Sequence, residues 1–188
     1  MIKYLEEFGK HIAIAGFRDV KIANVEALLE KAKKGVSKNT EVQFFDARFV
    51  ATWQHLYFAA LNALKAFKNH ENISKNLAIE TLLYASAQRQ IRKAMELLGV
   101  KQNSKEIAVL IIGEKAGEVD SAIKAISKTV GGKRDDEVLE LSREKIEKIR
   151  NIFEISSVEL EAITREGAVE KALTDLVIER MALLATEH

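Results

Sequence analysis

Arg89 and Arg92 stand three residues apart in the stretch YASAQRQIRKAM, and no acid occurs from Leu82 to Met95 to neutralise them or Lys93. Two guanidinium groups on one helix face attract phosphate, because each presents a fork of donors that matches its oxygens. Gln88, Gln90 and the hydroxyl of Ser86 add further donors and acceptors. A helix beginning near Gln88 would aim its first amides and its dipole at the same anionic ligand. Tyr84, just before, offers a ring on which an unpaired base can stack. The bland alternative is an ordinary interhelix corner whose polar side chains satisfy its own backbone.

No other set of residues suggests chemistry. His11, His55, His70 and His188 are scattered, and none stands four from another. Cysteine is absent, which removes thiolate zinc sites, disulfides and thiol nucleophiles together. Asp135-Asp136 precedes a predicted strand and reads as a turn. Ser86 and His55 lack the elbow motif of a serine nucleophile and its base. GEKAGE matches neither a phosphate loop nor a dinucleotide fingerprint. The expectation is a binding protein with no catalytic residue, no metal and no cofactor. With 29 basic against 28 acidic residues, the chain is not a polybasic coat for nucleic acid, though a local basic patch remains open.

The corner needs elements to hold it. In AIETLLYASAQRQIRKAMELLG, Ile79, Leu82 and Leu83 share one helical face, and Ile91, Ala94, Met95 and Leu98 share another. On one straight helix the two stripes would point about 110° apart, so two helices must meet at residues 84–90. Upstream, HIAIAGF and EVQFF read as strands, Asn24 and Gly35 bracket a helix, and Asp46 should cap a long core helix from Ala47 to Lys68. Trp53, Tyr57 and Phe67 fall on that helix's apolar stripe and are expected in the core. Ser74 should cap the helix entering the corner. Lys31, Lys33, Lys34 and Lys38 read as a solvated helix end that favours cations.

Downstream, Glu106–Ile112 is a candidate central strand covered on both sides. A helix at Glu118–Val130, a strand at Glu137–Leu141, a helix from Ser142, a capping box at Ser156 and Glu159, and a final helix at Val169–Thr186 follow. That last helix is apolar over most of its circumference, so it is either wrapped inside the fold or offered to a partner. The expected fold class is α+β: a mainly helical single domain, residues 1–188, packed on a small mixed or antiparallel sheet. The strands either side of the Glu118–Val130 helix are candidates for parallel pairing. MIKYLEEFGK lacks the apolar core of a secretion signal, and no run is long enough for a membrane span. A soluble, cytoplasmic protein is expected.

YASAQRQIRKAMELLGV resembles the most distinctive block of the archaeal branch of the PRPK-binding protein (TPRKB) family. EVQFFDARFVATWQHLYFAALNAL resembles the family's strand and long core helix, and VGGKRDDEVLELSREKIEKIRNIFEI its later Gly-Gly, acidic turn, strand and helix. Archaeal relatives often carry Gly where this chain has Ala87. The Gln-Arg-Gln, which the animal branch lacks, sides with the archaea.

The resemblance implies a non-catalytic subunit of the KEOPS/EKC complex. That complex attaches a threonylcarbamoyl group to the adenosine next to the anticodon (the t6A modification) in tRNAs that decode codons starting with A. A metal-dependent ASKHA-fold subunit performs the transfer, beside a small atypical kinase acting as an ATPase. The resemblance further implies that this chain binds the kinase N-lobe, away from the transferase, and recruits tRNA through its single-stranded 3′ CCA end. Carried over residue by residue, tRNA binding falls on Tyr84, Ser86, Gln88, Arg89, Gln90 and Arg92. Kinase contact falls on the exposed flank of the C-terminal helices, with Ile152, Leu176, Arg180 and Leu183.

Two other readings compete. A pure protein-interaction module would have a structural corner, with Arg89 paired to an acid such as Glu80 or Glu96. A small-molecule enzyme would need convergent polar groups in a deep pocket, and the sequence supplies no such set.

Overall fold

Apolar runs at Lys10–Arg18 and Ile107–Gly113 form the two inner strands of a sheet in the computed structural model, which describes residues 2–184 and 186. The strands are β1 (Ile2–Leu5), β2 (Lys10–Arg18), β3 (Glu41–Asp46), β4 (Ile107–Gly113) and β5 (Lys133–Arg134). Their order is β1-β2-β4-β3, with β5 beside the end of β2. Every ladder is antiparallel, so the parallel pairing entertained above does not occur. The fold is α+β, with eight α-helices among the described residues.

The chain gathers into two compact units. The first comprises residues up to Ala47 with Val100–Val138, and contains the sheet, α1 (Val25–Lys34) and α5 (Ala116–Thr129). All seven residues of β4 are buried, as an unbroken Ile-Ala-Val-Leu-Ile-Ile run requires. Ile107, Val109 and Ile111 pack in one core with Ala13, Ala15 and Phe17 of β2 and with Val119, Ile123 and Ile126 of α5. Asn24 caps α1 through a 2.8 Å bond from the Ala27 N–H, and Gly35 follows its last residue.

Two expectations fail here. The long helix does not follow directly on Asp46. The Asp46 Oδ2 accepts from the Ser104 hydroxyl at 2.6 Å, and the next amide, Ala47 N–H, bonds to the Glu106 carbonyl. The chain therefore stays tied to the sheet, makes one 3-10 turn at Ala47–Phe49, and turns helical only at Trp53. Nor is Glu137–Leu141 a strand; Asp136–Leu139 is a 3-10 turn. The Asp136 carboxylate accepts the Gly16 N–H at 2.9 Å, while Asp135 Oδ1 accepts the Glu137 N–H at 3.0 Å. These side chains take the place of ladder bonds and fold the backbone away from β2. The crossing is so close that a Cβ on Gly16 would lie 2.4 Å from the Asp135 carbonyl oxygen. The paired aspartates are thus a structural clasp.

The second unit, Arg48–Gly99 with Leu139 onward, is helical: α2 (Trp53–Asn69), α3 (Leu77–Ala85), α4 (Ile91–Leu98), α6 (Arg143–Ile152), α7 (Ser157–Ile163) and α8 (Val169–Leu184). The inner face of α2 is His55, Leu56, Ala59, Ala60, Ala63, Leu64 and Ala66. Trp53, Tyr57 and Phe67, expected in the core, are only half-buried at its border. Small alanines let neighbouring helices approach closely, so the large rings are displaced outward. Asn76, not Ser74, caps α3, accepting the Ile79 N–H at 2.9 Å. Ser74 instead donates its N–H to buried Glu80 at 2.7 Å. The Ser156–Glu159 capping box opens α7 as expected. No helix among the described residues is long and apolar enough to cross a membrane.

Candidate functional site

The turn between α3 and α4 is built by its backbone first. Ser86 N–H bonds to the Leu82 carbonyl at 3.0 Å, Ala87 N–H to Tyr84 at 2.9 Å, and Gln88 N–H to Leu83 at 3.0 Å. The last two bonds form a Schellman closure, which requires a left-handed residue at the position of Ala87. Its φ is +50°. A side chain there is strained, so Ala87→Gly is expected to stabilise the fold by about 1 kcal/mol with the turn unchanged. Reversible denaturant unfolding of the two proteins checks this.

Two buried groups lock the turn. His55, wholly buried on α2, accepts the Ala51 N–H at Nδ1 (3.1 Å) and donates from Nε2 to the Ala85 carbonyl (2.7 Å). That pattern specifies the neutral ring, and burial holds its pKa at about 4, against the opposing pull of the Ala85 bond. Phe153 meets the ring edge-on at 5.6 Å. Below α3, the Glu80 carboxylate accepts the Ile73 and Ser74 amides at 3.1 and 2.7 Å and ties down the preceding loop.

These constraints divide the six corner residues. Tyr84 is only 5% exposed, so its ring is core and unavailable for stacking on a base. Burial raises the pKa of its hydroxyl, reinforced by Glu80 and Glu71 and opposed by Arg89. Ser86 is also buried, and its hydroxyl donates to the Leu82 and Leu83 carbonyls at 2.8 and 3.1 Å. Both residues shape the corner from inside. Gln88 is half-buried, while Arg89, Gln90 and Arg92 are exposed. The Arg92 guanidinium reaches Glu96 one turn on, at 3.0 Å.

α4 starts at Ile91, three residues later than expected, because the closure occupies Gln88. Gln90 is its N-cap residue and makes no side-chain cap bond. Gln88, Arg89 and Gln90 therefore lead directly into the first amides of α4. Arg92 and Lys93 lie on its first turn.

A cleft of about 310 Å³ opens beside the corner, lined by Ser86, Ala87, Gln88 and Lys93, by Ile152 at the end of α6 with Phe153 and Glu154 after it, and by Arg180 and Leu183 of α8. It brings together residues that sequence reasoning assigned to two different partners. Ile152 and Arg180 are half-buried in its wall, and Leu183 stands 47% exposed at its rim. Leu176, also expected on an exposed flank, is 4% exposed and belongs to the core, because α8 is largely wrapped by the other helices of its unit. Arg180 is held in place by Glu159 at 2.6 Å. The Ser156 N–H, then Arg180 and the Ser156 hydroxyl, hold the Glu159 carboxyl at about 2.

Sequence reasoning missed the role of His55. A histidine among the buried positions of an otherwise apolar helix is a signal that two distant backbone groups need a partner. No group of three or more His, Cys, Asp or Glu among the described residues is placed to hold a metal ion. His188 lies outside the described residues.

Residues 17–185 match the family model described as kinase binding protein CGI-121. Over 113 residues the chain is 34% identical to the "Regulatory protein Cgi121" of Methanocaldococcus jannaschii, an alignment spanning 60% of this chain and 70% of that protein. The family match takes in β3, β4 and β5, the corner and the helices of the cleft, and the chain belongs to the CGI-121 family of kinase-binding proteins.

Proposed function

We propose that this chain is a non-catalytic KEOPS subunit, cytoplasmic, that docks on the small atypical kinase/ATPase and recruits tRNA through its 3′ CCA end. In that role it supports t6A formation by the ASKHA-fold transferase without touching the transferred group. The observation that carries the RNA half is the corner itself. Its closure presents Gln88, Arg89 and Gln90 immediately before an α4 terminus without a side-chain cap, with Arg92 and Lys93 on the next turn. Arg89 and the α4 amides suit a phosphate, and the two glutamine amides suit base edges or ribose hydroxyls. Tyr84 and Ser86 act as positioning residues beneath them.

For the kinase half, family membership is joined by a rim suited to protein contact: an exposed Leu183 beside half-buried Ile152 and an Arg180 fixed by Glu159. Leu183→Asp is expected to weaken binding to the purified kinase subunit at least tenfold, measured by calorimetry, with melting temperature unchanged. Undiminished affinity would remove this rim from the kinase surface.

A further inference from the structure

The first unit carries a second basic feature, far in sequence from the corner. Helices α1 and α5 run together near their C-terminal ends, where a Cβ on Gly35 would meet that of Ala125 at 3.5 Å. Between them lies an open groove of about 570 Å³. Lys31 and Lys34 edge it from α1, and Lys124 and Lys128 from α5. All four are exposed. Lys34 reaches Glu30 at 3.6 Å and Lys124 reaches Asp120 at 2.6 Å, each one turn back on its own helix. Lys31 and Lys128 hold no ion pair among the described residues. Lys33 is a further exposed lysine in the last turn of α1.

Cations at helix C-termini offset the dipole, and that accounts for one or two lysines at each end. It does not account for lysines from two helices converging on one groove, where like charges repel, in a chain whose net charge is only +1. The remaining lining is Gly35, Ser121, Ala125 and Thr129, all small. The floor is low and offers no aromatic or large aliphatic anchor of the kind that a protein interface or a membrane surface uses. Ammonium groups on flexible stems suit a ligand whose charges repeat along a line without demanding one orientation.

We propose that this groove is a sequence-independent contact for the phosphate backbone of double-helical RNA. It extends the RNA reading to a separate surface, and its test does not depend on the corner. A blunt 20-base-pair RNA duplex, which has no single-stranded end, is the probe. Binding to the full chain, followed by fluorescence anisotropy across a salt series, is compared with the Lys31→Gln/Lys128→Gln double variant.

The double variant should bind the duplex at least fivefold more weakly. The slope of log K against log salt should fall by about 2, as two phosphate contacts are lost. The blunt duplex lacks the single-stranded end that the corner is proposed to hold, so failure of the corner and failure of the groove are read separately. Absent duplex binding, or equal affinity and slope in the double variant, would overturn the proposal and leave the lysines as helix-end charges. Lysine-dependent binding to phosphatidylserine vesicles with no effect on the duplex would overturn it in favour of a lipid surface.

Discussion

Replacing His55 with leucine is expected to destabilise the protein by roughly 3–4 kcal/mol, because the Ala51 N–H and Ala85 C=O each lose the hydrogen bond that the buried ring supplies. The wild-type protein should also show a pH dependence that the variant lacks. The folded pKa of His55, about 4, lies below its unfolded value of 6.5, so between these values the unfolded chain binds more protons. The stabilisation from the neutral ring is complete above about pH 6.5 and is lost as pH falls towards 4. The total is about 3 kcal/mol, with the midpoint of urea unfolding as the readout.

Glu159, whose folded value is about 2 against 4.5 unfolded, acts in a lower window. Its contribution is present above 4.5 and lost on acidification below that. His55→Leu should therefore flatten the upper window only. Since Ala85 is the last residue of α3, the same substitution should loosen the corner and weaken any ligand bound there.

Arg89→Glu is the other substitution expected to have a large effect. It reverses the charge immediately before the α4 terminus, where a phosphate would sit, at an exposed residue. Affinity for tRNA at moderate salt should fall 10- to 100-fold, and the salt slope should shrink by about 1. Arg92→Gln should do less, because that guanidinium already engages Glu96 at 3.0 Å and the exchange removes one charge rather than reversing it. Filter binding across a salt series separates the two. Equal losses would mean that the phosphate contact is shared along the helix face.

What was legible in the sequence was local. Asn24 and Gly35 delimit α1 to the residue, and Ser156 with Glu159 form the expected capping box, because each device acts within four residues. Errors arose where a distant group intervened. Asp46 looks like the start of the long helix, yet Ser104, 58 positions away, bonds to its carboxylate and the helix begins only at Trp53. Glu137–Leu141 alternates like a strand, yet the Asp136 carboxylate takes the amide of Gly16, 120 positions away, and turns the chain. Strand β1 was unread: four residues, with Ile2 and Tyr4 exposed at the sheet edge, leave almost no pattern.

The corner was visible as two mismatched apolar stripes, and its exposed residues follow from the QRQ block. That Tyr84 and Ser86 face inward was not visible, since it depends on where the Schellman closure falls and on a histidine from another helix. Leu176 failed for a related reason: α8 is apolar nearly all round, so sequence alone does not tell its buried side from its open one.

The most direct test of the account compares one tRNA with its 3′ CCA intact and the same tRNA with those three nucleotides removed. Affinity for the purified chain would be measured at fixed moderate salt, for wild type and for Arg89→Glu. The account predicts that the wild type binds the intact tRNA at least tenfold more tightly. It also predicts that Arg89→Glu, with an unchanged melting temperature, binds both forms equally and weakly. Equal affinity of the wild-type chain for the two tRNAs would contradict the central claim and leave a kinase-docking protein without a tRNA-end site.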